Sequence, residues 1–551
     1  MTVSAEKTQM LVLSQWHRDA AGCSIKVDGK TVTASDTVSL LGVKLDRLLH
    51  FGPHCQSLRS RVRPRVEHLR RMSGRSWGLD EGMLRTVANG YVRGALEHAA
   101  AAWLPATPPS HVIVLERELR AAARVITGCP RSTPANALMA EAGLAPVSSS
   151  QKTLAARMLA KASALPPEDP LRRVAEAAPR DRLKTVRGWR RLGRQMWDAA
   201  GVILPIEPIL PRRAPPWEVS GDVSFKLDVG PLPLGAGSRQ KREAATLHLG
   251  GLPQCATWVW SDGSVVGGTH DGGAGVLIVD VDGEEHCLKE PAGRLCSSFR
   301  AEMVALKTAL LHLVTHPSDP DVPIVICTDS QSALAALRGG PSTQTTPLGC
   351  EIWAATKDLA TTGRKIIFQW VPSHCELMGN ERADEIAKEA SALPQDNAPT
   401  DVRTVQRAVA RTARDQWTQS WPHDWYRELM GARLPPPVTE LERMAAVDVH
   451  QLRAGHWSGS GQYLHRIGRN PARHCEQCSD VGCVGARCPI CRESADTPRH
   501  VLLECPALMG TRLRLTGSIS PSVDEVRGGG VVAALGAAAR SLQSRQATTD
   551  V

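Results

Sequence analysis

Residues 254–392 predict an α/β domain, a mixed five-stranded sheet with flanking helices. Three observations lead there: β-rich segments come first, helices then alternate with short apolar strands, and four acidic residues fall at matching ends of those elements. Ala256–Trp260 and Ala274–Val281 are rich in β-forming residues and end in glycine-containing turns. With Glu285–Lys289 they predict an antiparallel meander. Ser297–His316 has the apolar spacing of an amphipathic helix, and Pro323–Thr328 is a short run suited to a buried strand. Ser330–Leu337 and 346–362 predict helices, Lys365–Val371 a further strand, and Asn380–Ser391 a closing helix.

The acids carry the chemistry. Asp262 is expected to end the first strand, in Trp260-Ser261-Asp262-Gly263-Ser264, and Glu302 to sit in the first turns of the first helix. Asp329 ends the next strand, in Cys327-Thr328-Asp329-Ser330, and Asp384 belongs to the last helix. Strands lying side by side would bring Asp262 and Asp329 to one sheet edge, with helices pointing Glu302 and Asp384 at the same spot. Such a cluster is costly unless cations neutralise it, and oxygen donors alone favour Mg²⁺ or Mn²⁺ over zinc. Two such ions about 4 Å apart would activate water and stabilise the leaving oxygen of a phosphodiester. Singly, each piece is ordinary: Asp-Gly-Ser is usually a turn, and a glutamate early in a helix complements its dipole. Their order, together with Trp370-Val371-Pro372-Ser373-His374, is not ordinary.

With Asp-Gly-Ser, Arg-Ala-Glu, Thr-Asp-Ser, Val-Pro-Ser-His and Asn-Glu-Arg-Ala-Asp in that order, residues 254–392 resemble the type 1 ribonuclease H family. The resemblance implies a ribonuclease H-like fold that cuts the RNA strand of RNA–DNA hybrids using two Mg²⁺ (or Mn²⁺) ions. It implies Asp262, Glu302, Asp329 and Asp384 as metal ligands, with Asp262 bridging both ions. His374, on a mobile loop, would assist proton transfer or product release. Substrate contacts implied in the same way are Ser298, in place of the asparagine common before the Arg-Ala-Glu helix, and Gln331 and Asn380. No basic protrusion lies between Arg338 and Lys357, so neighbouring regions are expected to contribute affinity. Recognition through the 2′-hydroxyl and groove shape predicts little sequence preference.

The chain has 551 residues, too many for one core, and a net charge of +10 that points to an anionic partner, nucleic acid first. Residues 1–165 read as a short β-like opening followed by long helices, with Arg59, Arg61, Arg63, Arg65, Arg70, Arg71 and Arg75 crowded on one stretch. Lys7-Thr8, the run Leu40–Asp46, Trp103 and Arg124-Val125-Ile126-Thr127-Gly128 make this region similar to the post-palm, thumb-like part of reverse transcriptases from non-LTR (LINE-type) retrotransposons. No Asp-Asp pair occurs, so polymerisation by this chain alone is not expected, and a C-terminal fragment of such a polyprotein is. Residues 166–250 read as a basic, proline-rich linker, 400–470 as a helical basic connector, and 515–551 as a disordered tail.

Between 474 and 510 lie the crowded cysteines. Cys488-x₂-Cys491, His500 and Cys505 have the composition of one tetrahedral, structural zinc site, and the retrotransposon family has a similar C-terminal finger. Cys475, Cys478, Cys483 and His474 offer a second set. Without a signal peptide or a membrane-length apolar run, a soluble, reducing, intracellular setting is expected, the nucleus preferred over the cytoplasm. The leading expectation is therefore an active ribonuclease H in a retroelement-derived chain. A non-catalytic nucleic-acid-binding remnant is the alternative.

Overall fold

A computed structural model describes residues 3–74, 76–178, 188–211, 222–233, 235–316, 319–395, 398–466 and 487–549. The chain divides into two compact units, one of residues 1–154, 181–188 and 413–551, the other of 155–180 and 189–412.

The second unit is built on a six-stranded sheet. Its strands are β1 (Val223–Lys226), β2 (Thr257–Val266), β3 (His270–Val279), β4 (Glu285–Leu295), β5 (Ile324–Thr328) and β6 (Ile366–Trp370). In space they run β1-β6-β5-β2-β3-β4: β2, β3 and β4 form the antiparallel meander, while β5 pairs parallel with β2 and β6, and β6 with β1. Central β5, Ile-Val-Ile-Cys-Thr, is buried throughout, as a strand covered on both faces must be. The helices that concern the site are α1 (Ser238–Gly250), α2 (Ser298–Thr315), α3 (Gln331–Leu337), α4 (Pro347–Thr361), α5 (Met378–Ser391) and α6 (Val402–Gln419), of which residues 402–412 belong to this unit. The Ser297 hydroxyl caps α2 by accepting from the Arg300 amide at 3.3 Å, and Thr346 caps α4, whose first residue is proline. On one side of the sheet, Val259, Ile324, Ile326 and Phe368 pack with Leu306, Leu310, Leu334 and Ile352. On the other, Val325, Cys327 and Ile367 pack with Ala245 of α1, Val371 and Leu377.

Two expectations are corrected here. The sheet has six strands rather than five, because β1 comes from the proline-rich stretch read as linker. That stretch also supplies α1, whose Ala245 is buried with Leu252 in the sheet's second core. The first strand also does not end near Asp262: β2 runs on to Val266, so Asp-Gly-Ser is mid-strand, not a turn.

In the first unit, hairpins Ser24–Val27/Lys30–Thr33 and Thr37–Leu40/Val43–Asp46 precede long helices Gly52–Arg71 and Pro109–Thr127. Leu58, Val62, Leu69, Leu115, Leu119 and Ile126 share one core with Val449, Leu452, Cys488, Val501, Cys505 and Leu535. The Cys/His region is thus packed into a larger core rather than standing as a separate small module. Where a disordered tail is predicted, helix Gly529–Thr549 buries Val532, Leu535 and Ala539, and Arg540 pairs with Asp448. Its alanine-rich composition suits a helix once Leu and Val at helical spacing have a core to meet. Cys475, Cys478, Cys483 and His474 lie outside the described residues. Among the described residues, no helix is long and apolar enough to cross a membrane.

Candidate active site

The parallel strands β2 and β5 point their C-terminal ends the same way, and Asp329 immediately follows β5. Asp262 projects from β2 toward that end, and Glu302 enters from the second turn of α2. One carboxylate oxygen from each of Asp262, Glu302 and Asp329 lies within 4.8 Å of the others. Asp262 and Glu302 are each only 7 % exposed.

Glycine makes this convergence possible. A Cβ on Gly263 would stand 2.3 Å from the Glu302 amide nitrogen and 2.6 Å from the Ala301 carbonyl carbon, so only glycine lets α2 lie against β2 here. Across the sheet, a Cβ on Gly275 would meet the Ala383 carbonyl and the Ala387 amide at 2.3 Å, which fixes how closely α5 approaches β3. Asp384 rides on α5, where its side chain hydrogen-bonds to Asp262. It stands outside the close trio, and Lys388, one turn later, donates to it at 2.5 Å.

Crowded like charges in a dry place resist ionisation. Burial, then the neighbouring Asp329, pushes the Asp262 carboxyl up to about 7. Burial, then Asp262 and Asp329, holds Glu302 well above the carboxylate range. Burial raises Asp329 too, against a hydrogen bond from Asn380 and the nearby His374, which pull it down. The Thr328 hydroxyl donates to Glu302 at 3.4 Å. Three clustered carboxylate oxygens whose ionisation burial opposes are a hard donor set that suits a divalent cation.

His374 lies on the exposed loop after β6 with φ of 50°, a left-handed conformation that its loop must hold in place. Ser298, first residue of α2, is exposed. Gln331 is exposed, but its amide donates to the Leu227 carbonyl at 2.8 Å, just beyond β1. Asn380 is 4 % exposed and turned toward Asp329, so it reaches the carboxylates rather than open surface.

Sequence reading passed over Thr328 and Lys388 in this site. It also passed over Arg300, whose buried pair with Glu207 at 3.1 Å anchors the start of α2. Lys388 alone had a readable signal, four residues after Asp384 on a helix.

In the first unit, Cys488, Cys491, His500 and Cys505 each bring a ligand atom within 4.8 Å of the others. Cys488 and Cys505 are fully buried, and the Cys491 sulfur lies 3.3 Å from His500 Nε2. A hydrogen bond from Cys488 holds the Cys505 thiol below its ordinary value. Three sulfurs and an imidazole are a soft donor set matched to zinc.

Comparison with known proteins assigns the second unit's centre. The RNase H family model matches residues 254–392. A ribonuclease H of Janthinobacterium sp. (strain Marseille) is 31 % identical over 140 residues, 23 % of this chain and 91 % of that protein. A ribonuclease H of Pectobacterium carotovorum is 29 % identical over 147 residues, 25 % of this chain and 90 % of that protein. A retrovirus-related Pol polyprotein from type-1 retrotransposable element R1 4 of Nasonia vitripennis is 31 % identical over 130 residues, 23 % of this chain. The chain spans 32 % of that polyprotein's length.

Proposed function

Through residues 254–392 the chain belongs to the ribonuclease H family, and from that premise we propose that it hydrolyses the RNA strand of RNA–DNA hybrids, acting as a metal-dependent endonuclease. The observation that carries this reading is the convergence of Asp262, Glu302 and Asp329 near the carboxyl end of β5, where burial foremost opposes their ionisation. Two Mg²⁺ (or Mn²⁺) ions bound there would supply activation of water and stabilisation of the departing oxygen. Asp262, Glu302 and Asp329 would hold them, and Asp384 would complete the set from α5, its orientation held by Lys388. Asn380 fixes Asp329 by hydrogen bonding, and Thr328 fixes Glu302. His374, exposed beside Asp329, moves the proton between site and solvent. Ser298, exposed at the start of α2, would meet a ribose 2′-hydroxyl.

Likeness to the R1 polyprotein supports a retroelement origin for the chain. The first unit is then a nucleic-acid-binding remnant of a post-palm region, with zinc at Cys488, Cys491, His500 and Cys505 as a structural staple.

The test is cleavage of a labelled RNA–DNA hybrid by the purified chain in Mg²⁺ or Mn²⁺, beside Asp329→Asn, with single-stranded and duplex RNA as controls. Metal-dependent cutting of RNA only in the hybrid, lost in Asp329→Asn, is expected. Tight hybrid binding without cutting under either metal would instead leave a non-catalytic nucleic-acid-binding protein.

A further inference from the structure

Helix α6 lies beyond the family-matched residues and carries charge that the reaction above does not use. Asp401 precedes it and its carboxylate accepts from the Thr404 amide at 2.9 Å. Thr404, Val405, Ala408 and Val409 are buried, so one face is committed to the unit's interior. Arg403, Arg407 and Arg411 are exposed and four residues apart, so they form a single row on the other face. Successive members are about 6 Å apart along the axis and the row spans about 12 Å.

The row's placement ties it to the carboxylates. The Arg403 guanidinium lies 5.0 Å over the Phe299 ring, and Phe299 is less than one helical turn from Glu302. At the other end, Arg411 donates to the Gly267 carbonyl and lies 3.4 Å from the Thr269 hydroxyl. Gly267 follows the last residue of β2, five positions beyond Asp262 or about 17 Å of strand. The helix is therefore pinned along the rim between the start of α2 and the β2–β3 turn. Among the described residues, no acidic side chain is ion-paired with any of the three. Elsewhere in this unit the exposed Arg239 and Arg382 each bind a glutamate on their own helix. Three cations held in a row on a rigid element repel one another unless an anion lies across them. A nucleic-acid duplex carries about one charge per 1.7 Å of axis, so a row of about 12 Å faces about seven phosphate charges.

We propose that Arg403, Arg407 and Arg411 form a phosphate track that grips the sugar–phosphate backbone of the hybrid beside the cleavage site. The track rests on the ribonuclease H reading and deepens it, placing part of the affinity for substrate on a helix outside the family-matched residues. Phosphate contacts set register and affinity without reading bases, so the track adds no sequence preference.

The test uses the full chain carrying Asp329→Asn, so that hybrid is bound and not consumed, and follows Kd against KCl concentration. Arg407 is exposed, so Arg407→Gln is the leading variant, with thermal unfolding checked alongside. Arg407→Gln should weaken binding several-fold and reduce the slope of log affinity against log salt by about 0.9. Arg407→Lys should keep the slope, and the triple glutamine variant at 403, 407 and 411 should lose about 2.7 of it. Equal slopes and affinities for the parent, Arg407→Gln and the triple variant would overturn the track. Cleavage by the unmutated chain, measured in parallel, separates the two readings. A chain that cuts hybrid but shows no arginine dependence keeps its function and loses the track; one that binds through the arginines without cutting does the reverse.

Discussion

Replacing Gly263 with alanine tests whether the close approach of helix to strand is what assembles the carboxylates. The new Cβ would sit 2.3 Å from the Glu302 amide nitrogen, 2.6 Å from the Ala301 carbonyl carbon and 2.9 Å from the Ala301 Cβ. Ordinary contact begins near 3.4 Å, and two of these three neighbours are helix backbone that cannot rotate away. The start of α2 must therefore withdraw by about 1 Å, carrying Glu302 off Asp262 and Asp329. Overpacking of this size costs about 1–3 kcal/mol. For a unit of this length that is about 3–9 °C of melting temperature. The unit stays folded, but displacement of a positioned catalytic group by about 1 Å is worth on the order of 10² in rate. The assay is single-turnover cleavage of a hybrid at saturating Mg²⁺, with Val266→Ala, an exposed position on the same strand, as control. Cleavage by Gly263→Ala within about threefold of the parent chain would refute the reasoning, since the helix would then have no need to touch the strand.

Proton competition makes metal use pH-dependent: with Asp262 held up to about 7 and Glu302 and Asp329 also raised, the Mg²⁺ concentration for half-maximal cleavage should fall as pH rises from about 6 to about 8. A half-saturation point that ignores pH would contradict the crowding described above. Zinc should co-purify with the chain, and Cys505→Ser should lower both the zinc content and the melting temperature of the first unit; unchanged zinc would rule out the Cys488/Cys491/His500/Cys505 site. His450 lies fully buried between Glu141 at 2.6 Å and Glu81 at 2.9 Å. Burial lowers its pKa, but hydrogen bonds to both carboxylates win and raise it, while burial raises Glu81 and the His450 bond wins to lower it. The histidine's contribution to stability is thus full below its unfolded pKa of about 6.5 and lost as pH climbs through the raised value. The Glu81 contribution is present above about 4.5 and lost as pH falls through its lowered value. Denaturant unfolding of the first unit should show greatest stability between those limits, and His450→Gln should remove about 3 kcal/mol and flatten the alkaline limb.

Most of the catalytic unit was legible because its signals are local. The unbroken apolar run Ile324–Cys327 reads as a buried strand, Ser297 and Thr346 are ordinary helix caps, and Asp329 sits at a recognisable strand end. The reading failed where the signal depends on a partner remote in sequence. Val-Ser-Phe-Lys at 223–226 is too short to declare itself a strand, and becomes one because β6 offers an open edge for parallel pairing. The helix at 529–549 looks like low-complexity tail until its Val532, Leu535 and Ala539 meet a core assembled largely from residues before 150. Asp262-Gly263-Ser264 was read as a strand end because glycine usually marks one, whereas here the glycine is needed for what packs against it.

The same distinction separates residues whose roles transfer by motif from those whose roles depend on the neighbourhood. Asp262, Glu302 and Asp329 converge because β2, β5 and α2 are fixed by the domain itself, so any chain with those elements brings them together. Gln331 matches a substrate position by motif, yet its amide is held by the Leu227 carbonyl, supplied by a segment that lies before the matched residues. For Gln331 to reach a base it must first give up a hydrogen bond whose net worth is about 1 kcal/mol. Ser298 has no such prior claim, and α6 sets three arginines along the same rim. On the proposed reading, the sheet's own elements carry the chemistry, while grip on the substrate is shared with flanking segments that no motif in residues 254–392 announces.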